Sequence, residues 1–165
     1  MKVALTVRDY LDRAAAVYGE RIGVVDEPDQ PAASLGELTY ARIAELARGQ
    51  AAALDAMGIG RGERVAMVSQ NAARMLVSFF GVSGWGRVFV PINFRLSPAE
   101  ISYIVEHSGA SLLLVDPELD EALSSVTAPR RMVIGADTDA ELFGMDLDAE
   151  PEPWEHDEDA TATIN

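Results

Sequence analysis

The sequence predicts an α/β fold: an open, mostly parallel sheet flanked by helices. Two patterns predict it. Between residues 64 and 134, short apolar runs alternate with amphipathic stretches in the order strand, helix, strand, helix, strand, helix, strand. The strand candidates are continuous apolar runs rather than alternating ones, as in strands covered on both faces. Right-handed crossovers follow from that order.

Each element has a local reason. Thr6 is placed to cap a first helix whose apolar residues Val7, Tyr10, Leu11, Ala14 and Val17 recur at helical spacing as far as Gly19. Ile22 to Val25 is a short β-branched run closed by the turn-forming Asp26-Glu27-Pro28-Asp29. Gly36 to Tyr40 leads into a second helix with Ile43, Leu46, Ala47, Ala51 and Leu54 on one face, stopped by Gly58. Arg64 to Ser69 reads as a buried strand, and Asn71 as the N-cap of a helix reaching Gly84. Val88-Phe89-Val90 is the next strand, with Pro91 as its stop. Ser97-Pro98-Ala99-Glu100 combines an N-cap, a proline at N1 and an acid at N3, and starts a helix ending at Ser108-Gly109. Leu112 to Val115 is a buried strand ended by Asp116-Pro117. A short helix near Glu118–Ser125 then leads to the strand Met132-Val133-Ile134.

A length of 165 residues corresponds to one domain or part of a larger one, and suffices to bury a real core. Hydrophobic residues at 48% and charged residues at 24% exclude fibrous, collagen-like and wholly disordered classes. No cysteine means no disulfide framework, no thiolate zinc site and no cysteine nucleophile. The 13 basic and 27 acidic residues give a net charge of −14, unevenly spread. Residues 1–131 hold all 13 bases and 16 acids, whereas 132–165 hold 11 acids and no base. Without clustered Lys and Arg, nucleic acid is not an expected partner. Met1 to Asp9 has no signal-peptide core, and the apolar stretch Met75–Trp85 is short of the ~20 residues that span a bilayer. The expectation is a soluble, cytoplasmic protein. Its organisation reads as an α/β subdomain over 1–135, an acidic linker or surface segment over 136–159, and the start of a strand over 160–165.

Few residues suggest chemistry. The glycine clusters at 58, 60 and 62 and at 81, 84 and 86 follow a helix and precede a strand, the reverse of a dinucleotide-binding loop. They read as helix stops and tight turns, and neither has the P-loop spacing. His107 lies beside Glu106 near a helix C-terminus, where the helix dipole accounts for it and no nucleophile is in sequence reach. His156, in Trp154-Glu155-His156-Asp157-Glu158-Asp159, belongs to a solvated acidic run without metal-ligand spacing. Arg95 differs: it follows a strand at its C-terminal end, where open α/β sheets place ligands. It is suited either to a phosphate or carboxylate, or to bracing the next helix.

In order along the chain, these segments resemble the N-terminal region of the AMP-forming acyl-CoA synthetases, within the adenylate-forming enzymes. The matching pieces are Leu38-Thr39-Tyr40 with Ala44-Glu45-Leu46-Ala47, Gly58-Ile59-Gly60-Arg61-Gly62-Glu63-Arg64-Val65-Ala66, and Asn71. They continue with Val90-Pro91-Ile92-Asn93-Phe94-Arg95-Leu96, Glu100-Ile101-x-Tyr103-Ile104, Ser108-Gly109-Ala110 and Val115-Asp116. His107 departs from the pattern, which usually has Asp there. Asp159-Ala160-Thr161-Ala162-Thr163-Ile164-Asn165 resembles the family's lead-in strand, after which a Ser/Thr/Gly-rich loop with Pro-Lys-Gly holds the ATP phosphates.

The resemblance implies an acyl-CoA ligase that activates a carboxylic acid, of the fatty acid class, with ATP and Mg²⁺ to an acyl-adenylate and passes the acyl group to coenzyme A. It implies that Arg95 pairs with a CoA phosphate. No catalytic or metal-binding residue is assigned in this chain. The phosphate loop and later motifs would lie in a C-terminal part of the same enzyme, which becomes the expected partner, with a homodimer left open. The 165 residues alone are then expected to adenylate nothing and to bind no cofactor tightly. Two rivals stand beside this reading: a non-catalytic interaction module derived from a synthetase, and an unrelated nucleotide-binding α/β domain.

Overall fold

The structure is a computed structural model that describes residues 5–155 and 157–164. Met1 to Ala4, His156 and Asn165, which enter the readings of the chain start, the acidic run and the last strand, lie outside the described residues.

The elements run α1 (Val7–Tyr18), β1 (Ile22–Val25), β2 (Glu37–Thr39), α2 (Tyr40–Ala56), β3 (Arg64–Val68), α3 (Ala73–Ser83), β4 (Val88–Ile92), α4 (Pro98–Ser108), β5 (Ala110–Val115), β6 (Arg130–Val133) and α5 (Asp139–Leu142). Strands β3 to β6 form a wholly parallel sheet in the order β4-β3-β5-β6. The expected α/β sheet is therefore present.

Strand alternation sorts the core into two layers. Val65, Met67, Phe89, Leu112 and Leu114 face α2 and α3 together with Leu46, Leu54 and Val77. Ala66, Val68, Val90, Ile92, Leu113 and Val115 face α4 through Ile101 and Val105, with Leu123 and Val126 beside them. Both faces being covered explains the continuous apolar strands. Between α2 and α3, Gly81 leaves room for the Ala47 carbonyl and the Gln50 side chain, so the two helices approach closely.

Several local expectations are corrected. Residues 37–39 do not simply enter a helix. They form β2, antiparallel to β1, and Thr39 then caps α2 by accepting from the Arg42 N–H at 3.2 Å. Asn71 does not cap α3, whose cap position is Ala72. The buried Asp26 supplies the missing acceptor from the turn after β1, its Oδ1 accepting the Ala73 N–H at 2.9 Å. Pro91 does not stop β4, which continues to Ile92 with Pro91 opposite Met67. Phe89 uses its N–H and C=O toward residues 162–164, so Pro91, two residues on, turns its hydrogen-free nitrogen to that outer edge, away from β3. In place of the expected helix near Glu118–Ser125, a 3₁₀ segment at Pro117–Leu119 is followed by turns over 120–125, too short a helical stretch to sustain an α-helix. On α1, Leu11 is buried, but Tyr10 and Val17 are 68% and 59% exposed.

The acidic stretch contains more than solvated surface. It includes α5, whose Leu142 and neighbouring Phe143 are buried in the larger core cluster. The residues with strand character near the end make one parallel bridge, Thr163 to Phe89 on the β4 edge.

Candidate functional site

In a parallel sheet the strand C-termini open together at one end, and ligands sit there. Here that end is built from the residues after β3, β4 and β5. Ser69 Oγ donates to Asp116 Oδ2 at 2.9 Å, both residues buried, and joins the ends of β3 and β5. Asp116 Oδ1 accepts the Glu118 N–H at 3.1 Å, and Gln70 Nε2 donates to Glu118 Oε2 at 3.0 Å. This part of the rim is acidic and internally satisfied.

After β4 the rim changes character. Asn93 Oδ1 accepts the Arg95 N–H at 3.0 Å, a local turn that lifts Arg95 off the strand end. The Arg95 guanidinium lies 5.1 Å over the Phe94 ring, and the residue is exposed. Among the described residues no carboxylate pairs with it. The helix that follows is capped by Ser97 and Glu100, whose Oε2 accepts from the Ser97 N–H at 2.8 Å and from its Oγ at 2.6 Å. These bonds hold the Glu100 carboxyl below its usual range, the Ser97 side-chain bond contributing most. Among the described residues the Arg95 side chain makes no hydrogen bond or ion pair to α4, and it stands exposed at the C-terminal end of the sheet.

The glycine clusters lie at the opposite end, ahead of β3 and β4, and their amides are spent inside the protein. Gly60 N–H donates to Glu63 Oε2, Gly62 to the Gly86 carbonyl, Gly58 to Asp55, Gly84 to Phe80 and Gly86 to Ser83. No row of free N–H groups remains for a phosphate, so the turn reading holds. Glu63 also accepts from Ser111 Oγ at 2.5 Å through Oε1. The Ser111 bond, then the Gly60 bond, hold its carboxyl below the usual range. Arg64 Nε and Nη2 donate to the Ser108 and Gly109 carbonyls at 2.7 and 2.6 Å, closing the C-terminus of α4.

His107 stacks on Tyr103, ring centroids 5.3 Å apart and planes 10° from parallel. Among the described residues no group of three or more His, Asp or Glu side chains is arranged to hold a metal ion, and none of the helices is long and apolar enough to cross a membrane.

The β4 edge is flanked by two apolar troughs. On the α3 side a cavity of about 730 Å³ is lined by Met75, Leu76, Phe79, Phe89 and Pro91 and also by the polar Asp26, Glu27, Asn71 and Thr163. On the α4 side one of about 540 Å³ is lined by Val90, Ile92, Leu96, Ile104 and Ile164. Neither was legible as a cavity in the sequence, where the same residues read only as strand and helix faces.

The fold and rim have known counterparts. The family model for AMP-binding enzyme matches residues 11–165. The chain belongs to the AMP-binding enzyme family. It is 40% identical over 119 residues to a long-chain-fatty-acid–CoA ligase of Thermus thermophilus, a match that takes in 72% of this chain and 21% of that protein. It is 37% identical over 120 residues to 4-hydroxybutyrate–CoA ligase 2 of Metallosphaera sedula, again 72% of this chain and 21% of the other. Among solved structures, the N-terminal domain of FACL13 from Mycobacterium tuberculosis superposes with a TM-score of 0.81 at 28% identity, covering 99% of this chain and 41% of that one. The chain thus spans about a fifth of the length of the curated relatives it matches. Membership of this family removes the rival of an unrelated nucleotide-binding domain.

Proposed function

We propose that this chain is the N-terminal part of an acyl-CoA ligase that activates a carboxylic acid, of the fatty acid class, with ATP and transfers the acyl group to coenzyme A. The observation that carries the reading is its 40% identity to a long-chain-fatty-acid–CoA ligase over 119 residues. The exposed apolar troughs beside β4 support it, because large unpartnered apolar surface at a sheet edge marks a place where more protein packs.

The described residues do not fit the triphosphate of ATP or its Mg²⁺. Their glycine amides are internally bonded, and the acids at the rim are engaged with Ser69, Gln70 and backbone N–H groups. No adenylation step is assigned to them. What this chain supplies is the parallel sheet and, at its C-terminal end, Arg95. An unpaired guanidinium there fits a phosphate of coenzyme A by a charge-assisted, bidentate contact. When bound, coenzyme A supplies the thiol that accepts the acyl group.

The test is ATP–pyrophosphate exchange with a panel of carboxylic acids, run on the 165-residue chain and on the product of the gene read past codon 165. Exchange in the longer product and none in the short chain is expected. Exchange by the short chain overturns its inactivity, and a longer product inactive with every acid favours the interaction-module reading.

A further inference from the structure

Residues 162–164 reach the β4 edge with little local pairing. Ala162 O accepts the Phe89 N–H at 2.9 Å and Ser83 Oγ at 2.7 Å, and the Ile164 N–H donates to Phe89 O at 3.1 Å. Beyond Phe89 this edge of β4 lacks one ladder donor, because Pro91 has no N–H to give. Three hydrogen bonds around one bridge leave register weakly specified, yet register matters here. Thr163 lines the trough on the α3 side and Ile164 the one on the α4 side, so a slip of one residue would exchange their faces.

The approach to this segment is fixed upstream at two points. Asp55, in the last turn of α2, uses both carboxylate oxygens. Oδ1 accepts Arg87 Nη2 at 2.5 Å, at the root of β4, and Oδ2 accepts the Glu152 N–H at 2.8 Å. Arg87 is itself buried and donates from Nε to the Ile59 carbonyl at 2.8 Å. The second point is Trp154. Gly86 has φ +81°, and a Cβ there would come within 2.8 Å of the Trp154 indole, which lies against the turn that starts β4. Between them, Arg61 donates to the Pro153 carbonyl.

We propose that residues 152–155 and 157–164 belong to a strap clamped to the root of β4, in which Asp55, Gly86 and Trp154 are positioning residues. The clamp fixes the register of 162–164 on the β4 edge and so the face on which Ile164 lies. Both clamp points act on the residues just before β4, so the strap and the strand it pairs with share one anchor. Seven residues separate Trp154 from Ala162, few enough for the anchor to limit sliding.

The test is amide hydrogen exchange on the whole chain, comparing Phe89 and Ile164 with Leu113 and Val115 in the sheet interior. Trp154→Ala is expected to accelerate exchange at Phe89 and Ile164 by about tenfold or more, with Leu113 and Val115 unchanged. Trp154→Phe, which keeps an aromatic face for Gly86, is expected to restore most of the protection. Glu152→Pro removes the N–H that meets Asp55 while sparing the Asp55–Arg87 pair, and is expected to act like Trp154→Ala. Should Trp154→Ala not fold, Glu152→Pro decides alone. Wild-type exchange at Phe89 and Ile164 in the folded variants overturns the clamp, as does equal acceleration at Leu113. The readout involves no ligase activity, so it holds or fails independently of the proposed function.

Discussion

Arg74 on α3 and Asp139 on α5 form a bidentate pair, Nε to Oδ1 at 2.8 Å and Nη2 to Oδ2 at 2.6 Å, with the Arg74 side chain 1% exposed. Arg74 Nη1 also donates to the Ala33 carbonyl at 2.6 Å. One buried cation therefore joins α3, the loop between β1 and β2, and the first part of the acidic stretch.

Removing one partner leaves the other buried and unpaired, and that costs more than the pair contributes over an apolar substitute. Asp139→Ala is expected to lower unfolding stability by about 3–5 kcal/mol. The double variant Arg74→Met, Asp139→Leu is expected to lose much less. Urea denaturation of the three proteins checks this, and an equal loss in single and double variants would contradict the argument.

This pair marks the boundary of what the sequence discloses. Elements with their own local signal were legible: Ser97-Pro98-x-Glu100 forms a capping box with proline at N1, Gly109 is the left-handed stop of α4, and the apolar runs at 64–68 and 112–115 are strands. Features set by distant partners were not. Asp26 looked like a turn residue and serves as the acceptor for α3, 47 positions away. Asp139 looked like one acid among many, and no local pattern distinguishes it from Asp137. Pro91 read as a stop because a sequence does not show which strand lies at the edge. The place of Arg95 after a strand was legible; the Ser69–Asp116 contact at the ends of β3 and β5 was not, since its partners are 47 residues apart.

Glu63 offers a pH test. Its folded carboxyl is held below the ordinary value of about 4.3, chiefly by Ser111 and then by the Gly60 N–H. A depressed folded value means that the unfolded chain takes up the proton first. The contribution is therefore fully present above the unfolded value and is lost as pH falls through the folded one. Glu63→Gln is expected to lower the urea midpoint at pH 7, with the difference from wild type shrinking below about pH 4. A difference that grows on acidification would contradict the assignment.

Gly81 sits where α2 and α3 approach, and a methyl group there would lie 3.0 Å from the Ala47 carbonyl oxygen and against Gln50 Oε1. Gly81→Ala gains about 1 kcal/mol of helix propensity. Overpacking costs about 1–3 kcal/mol, and the Ala47 oxygen is backbone that cannot step aside. The balance is a net loss of up to about 2 kcal/mol, measured by the same denaturation. A stabilised variant would mean that the two helices can separate without penalty.

Arg95 provides the test closest to function. Its side chain is exposed, packs over Phe94 and has no carboxylate partner among the described residues, so its removal disturbs only that ring contact. If the chain is the front of a longer ligase as proposed, Arg95→Ala in that protein is expected to raise the KM for coenzyme A by about tenfold or more, the scale of one charge-assisted contact to phosphate. The urea midpoint is expected to stay within error of wild type, since an exposed substitution of this kind changes stability little. Arg95→Lys keeps the charge but loses the planar fork, and an intermediate KM is expected. Dephospho-coenzyme A separates the phosphates: if the wild-type KM is equal for both cofactors, Arg95 does not meet the 3′-phosphate and the contact falls to the pyrophosphate. An unchanged KM for coenzyme A in Arg95→Ala would remove Arg95 from the site altogether, leaving its exposure at the end of β4 without a ligand to explain it.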